Sequence, residues 1–219
     1  MNSGFGEIIG SQEALREVYR SAPDGVRAKV VDHLDSLACE FIARSPFVLL
    51  STAYAGGRCD VSPRGGPAGF VKVLDERRVV VPDLNGNNLL DSIENILANG
   101  HAGLLFLVPG TDETLRVNGR AVLSVEPSLL DLFEGELRRP KAVIGVEIEQ
   151  AYVHCAKSFR RGGVWNPQSW PSAGEVPSAA AMLSVHTASG RTPEEIQQYL
   201  DASYASGLAQ DLPEEPSSA

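Results

Sequence analysis

Long apolar runs are missing from this chain. The longest, Ala102 to Pro109, is far shorter than the roughly 20 residues that a membrane-spanning helix needs. Met1 is not followed by a basic segment and an apolar core, the pattern of a secretory signal. A cytoplasmic protein without membrane partners is expected. Cysteine is scarce as well: Cys39, Cys59 and Cys155 form an odd set without paired spacing, which reads as reduced thiols rather than a disulfide framework. His154 and Cys155 are adjacent with no further ligand at metal-site spacing, so no structural metal is expected. Positive charge is also in deficit. With 19 Lys and Arg against 28 Asp and Glu the formal net charge is −9, and this disfavours a nucleic-acid partner, whose phosphates dominate such affinities.

What basic charge there is lies in one place. Residues 151–166 carry Lys157, Arg160 and Arg161 with no acid, whereas residues 193–219 carry six acids and no Lys or Arg. A solvated basic face is the ordinary reading of such a cluster; in so acidic a chain an anion site is an equal alternative. Constellations of the Ser-His-Asp, Cys-His or paired-carboxylate kind are not evident. His154 is a candidate acid or base, although a histidine of the core is the commoner outcome.

The pattern of elements is one of short β-rich runs interrupted by helices. Ser11 is placed to cap a helix to about Arg20. A second helix is expected from Asp24 to Arg44, because Val26, Val30, Leu34, Leu37 and Phe41 keep a 3.6-residue period. Ser45-Pro46 stops it. Strands follow at Phe47 to Ala53 and Arg58 to Ser62, then a hairpin of Phe70 to Leu74 and Arg78 to Val81. A helix from about Asn88 to Ala98 has Asn87 or Asn88 as its cap, and Leu89, Leu90, Ile93, Ile96 and Leu97 as its buried face. Strands at about 102–108, 114–125 and 142–152 complete a small closed or split barrel. The expected organisation is N-terminal helices packed on the barrel over 1–46, a barrel domain over 47–170, a helical extension over 171–205 and a disordered tail over 206–219.

Two features inside the barrel point to an anion. Arg64 follows a strand in the turn Ser62-Pro63-Arg64-Gly65-Gly66, and can grip a phosphate through two parallel N–H bonds. Taken alone it reads as a solvated loop arginine, but Pro63 and the paired glycines suit a backbone that approaches a ligand closely. The Gly86-Asn87-Asn88 step opens a helix, whose free N–H groups and positive dipole end favour an anion.

Together with Pro82-Asp83, Leu104 to Gly110, Leu115 to Ala121 and Ala151 to Lys157 followed by Arg160, Arg161 and Trp165-Asn166-Pro167, these segments resemble the FMN-binding split-barrel family related to pyridoxamine 5′-phosphate oxidase. Within it the chain is similar to a bacterial subgroup of FMN-dependent proteins of unassigned substrate. The resemblance covers about residues 30–205. It implies a mainly β, α+β fold built on a six-stranded antiparallel split β-barrel, FMN as cofactor, and a homodimer that builds each site from both chains. It further implies an FMN-dependent oxidoreductase acting on a small organic substrate. The alternatives are a non-catalytic flavin binder, such as a redox sensor or carrier, and a barrel that holds a deazaflavin or haem.

Carried over residue by residue, Arg64 matches the arginine that grips the flavin phosphate. Asn87 and Asn88 stand where the oxidases carry an Arg-Lys pair, so charge must come from Arg64, the helix dipole and the 157–161 segment. Pro82 and Asp83 fall along the ribityl chain and ring edge, Thr114 at a flavin-contacting glutamine, and Ser62 in the phosphate turn. Trp165 and Arg161 resemble the tryptophan and arginine that close over the flavin from the partner subunit, and Lys157 lies in the same basic segment. The Arg-x-Val-Leu-Leu-Lys strand of the oxidases is replaced by Arg64-Gly-Gly-Pro-Ala-Gly-Phe, which removes its lysine and sets vitamin B6 oxidation aside.

Overall fold

A computed structural model describes residues 4–172 and 174–213. Its centre is one antiparallel sheet of seven strands: β1 (Phe47–Ala53), β2 (Cys59–Gly65), β3 (Lys72–Asp75), β4 (Arg78–Pro82), β5 (His101–Leu107), β6 (Thr114–Ser124) and β7 (Val143–His154), in the order β2-β1-β5-β6-β7-β4-β3. The mainly β, helix-flanked class is as expected. The count of six strands is corrected to seven, because the short β3 completes a hairpin with β4 at one edge.

The sheet curls because its two longest strands serve different neighbours along their lengths. The first half of β6 pairs with β5, while β7 pairs with β6 throughout and with β4 only over Val143–Glu147. A register shift at Asn118/Gly119 bends the long pair. Glycine is required there, since a Cβ on Gly119 would collide with the carbonyl oxygen of Glu147. Inside the curl, Val48, Leu50, Leu104, Phe106, Val117, Ile144 and Phe70 are almost wholly buried. Alternation along β1 sends Val48, Leu50 and Thr52 inward and leaves Phe47, Leu49, Ser51 and Ala53 on the outer face.

The helices are α1 (Gln12–Val18), α2 (Asp24–Ala28), α3 (Ser36–Arg44), α4 (Asp91–Asn99), α5 (Pro127–Leu130), α6 (Lys157–Gly162), α7 (Ala179–His186) and α8 (Pro193–Asp211). The single helix expected over 24–44 is two. Between them Val31 pairs with Ala151 of β7 through two backbone hydrogen bonds of 3.1 and 2.7 Å, and Asp35 caps a new helix through Ala38 N at 2.8 Å. Of the periodic residues Leu34 is buried, whereas Leu37 is 73% exposed.

At the C-terminal end, α8 opens with a capping box of Thr192 and Glu195 and runs to Asp211. The tail expected to be disordered from 206 is therefore helical to 211, and residues 214–219 lie outside the described residues. The end of α8 is tied to the body of the protein: Asp211 Oδ1 accepts from the backbone N and the side-chain Nδ2 of Asn85, at 3.2 and 2.9 Å. Among the described residues no helix is long and apolar enough to cross a membrane.

Candidate cofactor site

Strand β2 carries the site. It was expected to end at Ser62 in a turn; instead it continues to Gly65 and pairs with β1 along its whole length, Arg64 opposite Val48, Ser62 opposite Leu50 and Asp60 opposite Thr52. Period-two alternation puts Asp60, Ser62 and Arg64 on one face, half-buried, and Cys59, Val61 and Pro63 on the other, exposed. The turn that follows has little room: a Cβ on Gly66 would lie 2.7 Å from Phe70 Cβ.

The inward face of β2 forms one wall of a cavity of about 250 Å³, and the loop before α4 forms the other. Ser62, Arg64, Asp83, Asn87 and Asn88 all line it, so five of the expected site residues come together. Arg64 Nη1 donates to Asp83 Oδ1 at 3.1 Å, both side chains being 21% exposed. Its Nε is buried and has no hydrogen-bond partner among the described residues. A buried guanidinium donor without an acceptor is costly, and an anion would satisfy it.

Opposite Arg64 stands the N-terminus of α4. The helix begins at Asp91, later than expected, and neither Asn87 nor Asn88 caps it; its N-cap position is Leu90, with no side-chain cap. Asn87 Oδ1 instead accepts from Leu89 N at 3.0 Å. Asn88 and Leu90 both adopt positive φ, 56° and 59°, a conformation that L-residues adopt at a cost of about 1–3 kcal/mol each and that clusters at ligand clamps. The first turn is left with free backbone N–H groups beside the cavity.

The face that α4 buries is also different. Leu89, Leu90 and Leu97 are 67, 48 and 72% exposed, while Ser92, Asn95 and Ile96 are buried. Ser92 Oγ donates to Asp60 Oδ2 at 2.5 Å, Asn95 Nδ2 to Thr52 Oγ1 at 3.0 Å, and Asn99 Nδ2 to the Ala53 carbonyl at 2.9 Å. A polar stripe therefore docks the helix on β1 and β2. Asp60 and Ser92 were not anticipated as part of the site; the alternation of Asp60 with Ser62 and Arg64 was the available signal.

Asp60, Asp83 and Asp91 put three carboxylates around Arg64 in this lining. Asp83 pairs with Arg64 itself, while Asp60 is engaged by Ser92 and Asp91 by Arg58 at 3.6 Å. The remaining expected residues lie elsewhere in the chain. Pro82 is buried at the end of β4, opposite Val143. Thr114 is 4% exposed and sits opposite His154. Lys157 and Arg161 belong to α6, which packs on the turn after β5: Arg160 pairs with Asp112 at 2.9 Å, and Trp165 Nε1 donates to the Thr111 carbonyl at 2.9 Å. Trp165 also rests on Phe159, ring centres 5.8 Å apart. Thr114, Lys157, Arg161 and Trp165 do not line the Arg64 cavity of their own chain.

Beside Thr114, His154 has a buried Nε2 without a hydrogen-bond partner among the described residues. Burial, with Arg116 and Lys29 nearby, holds its imidazole below the ordinary value of 6.5. Among the described residues no group of three or more His, Cys, Asp or Glu is placed to hold a metal ion.

The family model for pyridoxamine 5′-phosphate oxidase matches residues 34–155 of this chain, more than half its length. The chain belongs to that family. The matched segment opens at Leu34 in front of α3 and closes at the end of β7, so it contains the Arg64 cavity and leaves α6 to α8 outside. Among curated proteins none matches the chain. Solved structures similar to it include HupZ from Group A Streptococcus, at 17% identity over 54% of this chain and 91% of that one with a TM-score of 0.45. A putative pyridoxamine 5′-phosphate oxidase from Lactobacillus delbrueckii is 22% identical over 56% of this chain and 95% of that one, TM-score 0.44. An FAD-binding protein from Mesorhizobium loti is 17% identical over 57% and 96%, TM-score 0.39.

Proposed function

We propose that this protein binds FMN and uses it for electron transfer with a small organic substrate, in a homodimer with two equivalent sites between the subunits. The observation that carries the reading is that Arg64, whose buried Nε has no partner among the described residues, and the uncapped first turn of α4 line one cavity. A guanidinium and a row of backbone N–H groups are what a phosphate monoester needs.

In this reading Arg64 and the first-turn amides of residues 91–93 hold the phosphate, and Ser62 and Asn87 supply further hydrogen bonds. Pro82 and Asp83 border the ribityl chain. The cavity, about 250 Å³, suits the phosphate end of FMN and is smaller than the roughly 300–1,000 Å³ of a complete ligand site. Its three carboxylates also leave the phosphate short of positive charge. A second copy remedies both: Lys157, Arg161 and Trp165 of the partner subunit bring cations and a ring. The edge strand β2 and the exposed Leu89, Leu90 and Val61 around the cavity are the surface that pairing covers. When bound, the flavin supplies the electron chemistry; the chain binds it, orients it and excludes water from its ring.

Purified protein should be yellow, with the two broad absorption bands of a flavin and about one FMN per subunit. Arg64→Ala removes a charge-assisted contact of about 1.5–3 kcal/mol, so FMN should bind roughly ten- to a hundredfold more weakly. An unchanged dissociation constant sinks the assignment. Mixing Arg64→Ala and Arg161→Ala subunits should regenerate one intact site per heterodimer. A monomer that still retains FMN in light scattering would rule out the shared site.

A further inference from the structure

We propose that Asp211, the last residue of α8, is a positioning residue for the Arg64 cavity: it braces the loop of residues 84–90 from the side away from the ligand. As a step toward flavin binding this rests on the reading above; as a hold on the loop it does not.

The loop joins the end of β4 to α4 and keeps an unfavourable shape. Asn88 and Leu90 hold positive φ, 56° and 59°, and such backbone persists only where its surroundings over-determine it. Both flanks are fixed. Asp83 N donates to the Ala142 carbonyl at 3.0 Å, and Ser92 and Asn95 dock α4 on β2 and β1. Between those flanks Leu84, Gly86, Asn87 and Asn88 line the cavity, whereas Asn85 does not. Its backbone N and its Nδ2 donate instead to Asp211 Oδ1, at 3.2 and 2.9 Å. Among the described residues these two are the hydrogen bonds that tie residues 84–90 to anything beyond α4.

Helix chemistry alone disfavours an acid at this place. A carboxylate in the last turn meets the negative end of the dipole, and α8 has no basic residue there to offset it. The two donors of Asn85 compensate it. The backbone that carries the acid is held as well: the Asp211 carbonyl accepts from Arg138 N at 2.9 Å, and at the other end of α8 a capping box and the buried Ile196 fix the start. The 19-residue helix is thus a strut with its carboxylate aimed at the loop. It lies beyond residues 34–155, the part that the family model matches, so the C-terminal extension of this chain reaches back to the cavity. One oxygen that holds both the main chain and the side chain of Asn85 sets the position and the direction of the loop. Asn87 and the first turn of α4 are then in place before a ligand arrives, and binding does not have to order them.

Titration of the purified protein, freed of any bound flavin, with FMN tests this by fluorescence quenching. Asp211→Ala should weaken FMN binding about fivefold. Asp211→Asn, whose Oδ1 can still accept both bonds, should restore most of the affinity. The direction is decisive, because an acid that acted only by repelling phosphate would give tighter binding when removed. In the double variant Asn85→Ala, Asp211→Ala the loss should be no greater than in Asp211→Ala alone, since both changes cut one connection. Hydrogen exchange without flavin reads the brace itself: amides of residues 85–90 should exchange faster in Asp211→Ala and at the wild-type rate in Asp211→Asn. Unchanged or tighter FMN binding in Asp211→Ala, or loop exchange there at the wild-type rate, would each overturn the proposal. Should Asp211→Ala fail to fold, Asn85→Ala, which removes the Nδ2 bond from the loop side, decides by the same two readings. A wild type without affinity for FMN would sink the flavin reading, and the exchange rates would then decide whether Asp211 holds the loop.

Discussion

Arg64 and Asp83 face each other across the cavity wall, Nη1 to Oδ1 at 3.1 Å, each side chain 21% exposed. The acid thus occupies one arm of the guanidinium that the proposed phosphate needs, while Nε stays without an acceptor. A phosphate entering here has to compete with Asp83. In Asp83→Asn that competition falls, and FMN should bind about fivefold more tightly, corresponding to about 1 kcal/mol for a partly exposed pair. Fluorescence quenching of FMN on titration reads the change. Weaker binding would mean that Asp83 chiefly holds Arg64 in position.

Asn95 is the middle of the polar stripe that docks α4. It is 1% exposed and donates to Thr52 Oγ1 at 3.0 Å, while its own Oδ1 is buried without a partner. Asn95→Ala deprives Thr52 of its donor and loosens the helix that borders the cavity. A loss of about 1–3 kcal/mol is expected in urea unfolding. Asn95→Asp should be worse, because it buries a carboxylate in the same place.

Gly119 sits at the register shift between β6 and β7, with the Glu147 carbonyl where a Cβ would go. Gly119→Ala must move backbone rather than a side chain, and should destabilise by roughly 2–3 kcal/mol. Gly4→Ala is the wrong control, because its φ of 68° is itself strained; Gly10→Ala, with open space and no such φ, should be near neutral. Equal unfolding midpoints for Gly119→Ala and Gly10→Ala would refute the steric account.

His154 should make stability depend on pH. Burial first, then Arg116 and Lys29, depress its folded-state value below 6.5, so the folded protein favours the neutral ring. Its contribution is complete above the unfolded value of about 6.5 and declines as pH falls through the lower folded value. Urea midpoints for the wild type should therefore drop between about pH 7 and pH 5, and His154→Gln should drop less over the same range. Parallel curves for the two proteins would show that the imidazole does not carry this slope.

Much of this was legible in the order of residues. The alternation of β1, the hairpin at residues 70–82, the stop at Ser45-Pro46 and the glycine closing α4 are local signals, set by side-chain period and backbone sterics, and the structure has them at or near those places. Motif order sufficed for the family, and Ser62, Arg64, Asp83, Asn87 and Asn88 do meet in one cavity. What the chain alone misjudged depends on what each element packs against. The leucines of α4 suggested an apolar buried face, yet the barrel end offers Asp60, Thr52 and the Ala53 carbonyl, so the helix turns Ser92, Asn95 and Asn99 toward it. Residues 24–44 have a helical period, but Val31 finds β7 and the helix breaks. Arg64 was assigned to a turn and stands in a strand, because β1 is there to pair with it. Period and turn chemistry act over a few residues and are written in the sequence; partners for buried polar groups come from segments far apart in it, and only the folded chain brings them together.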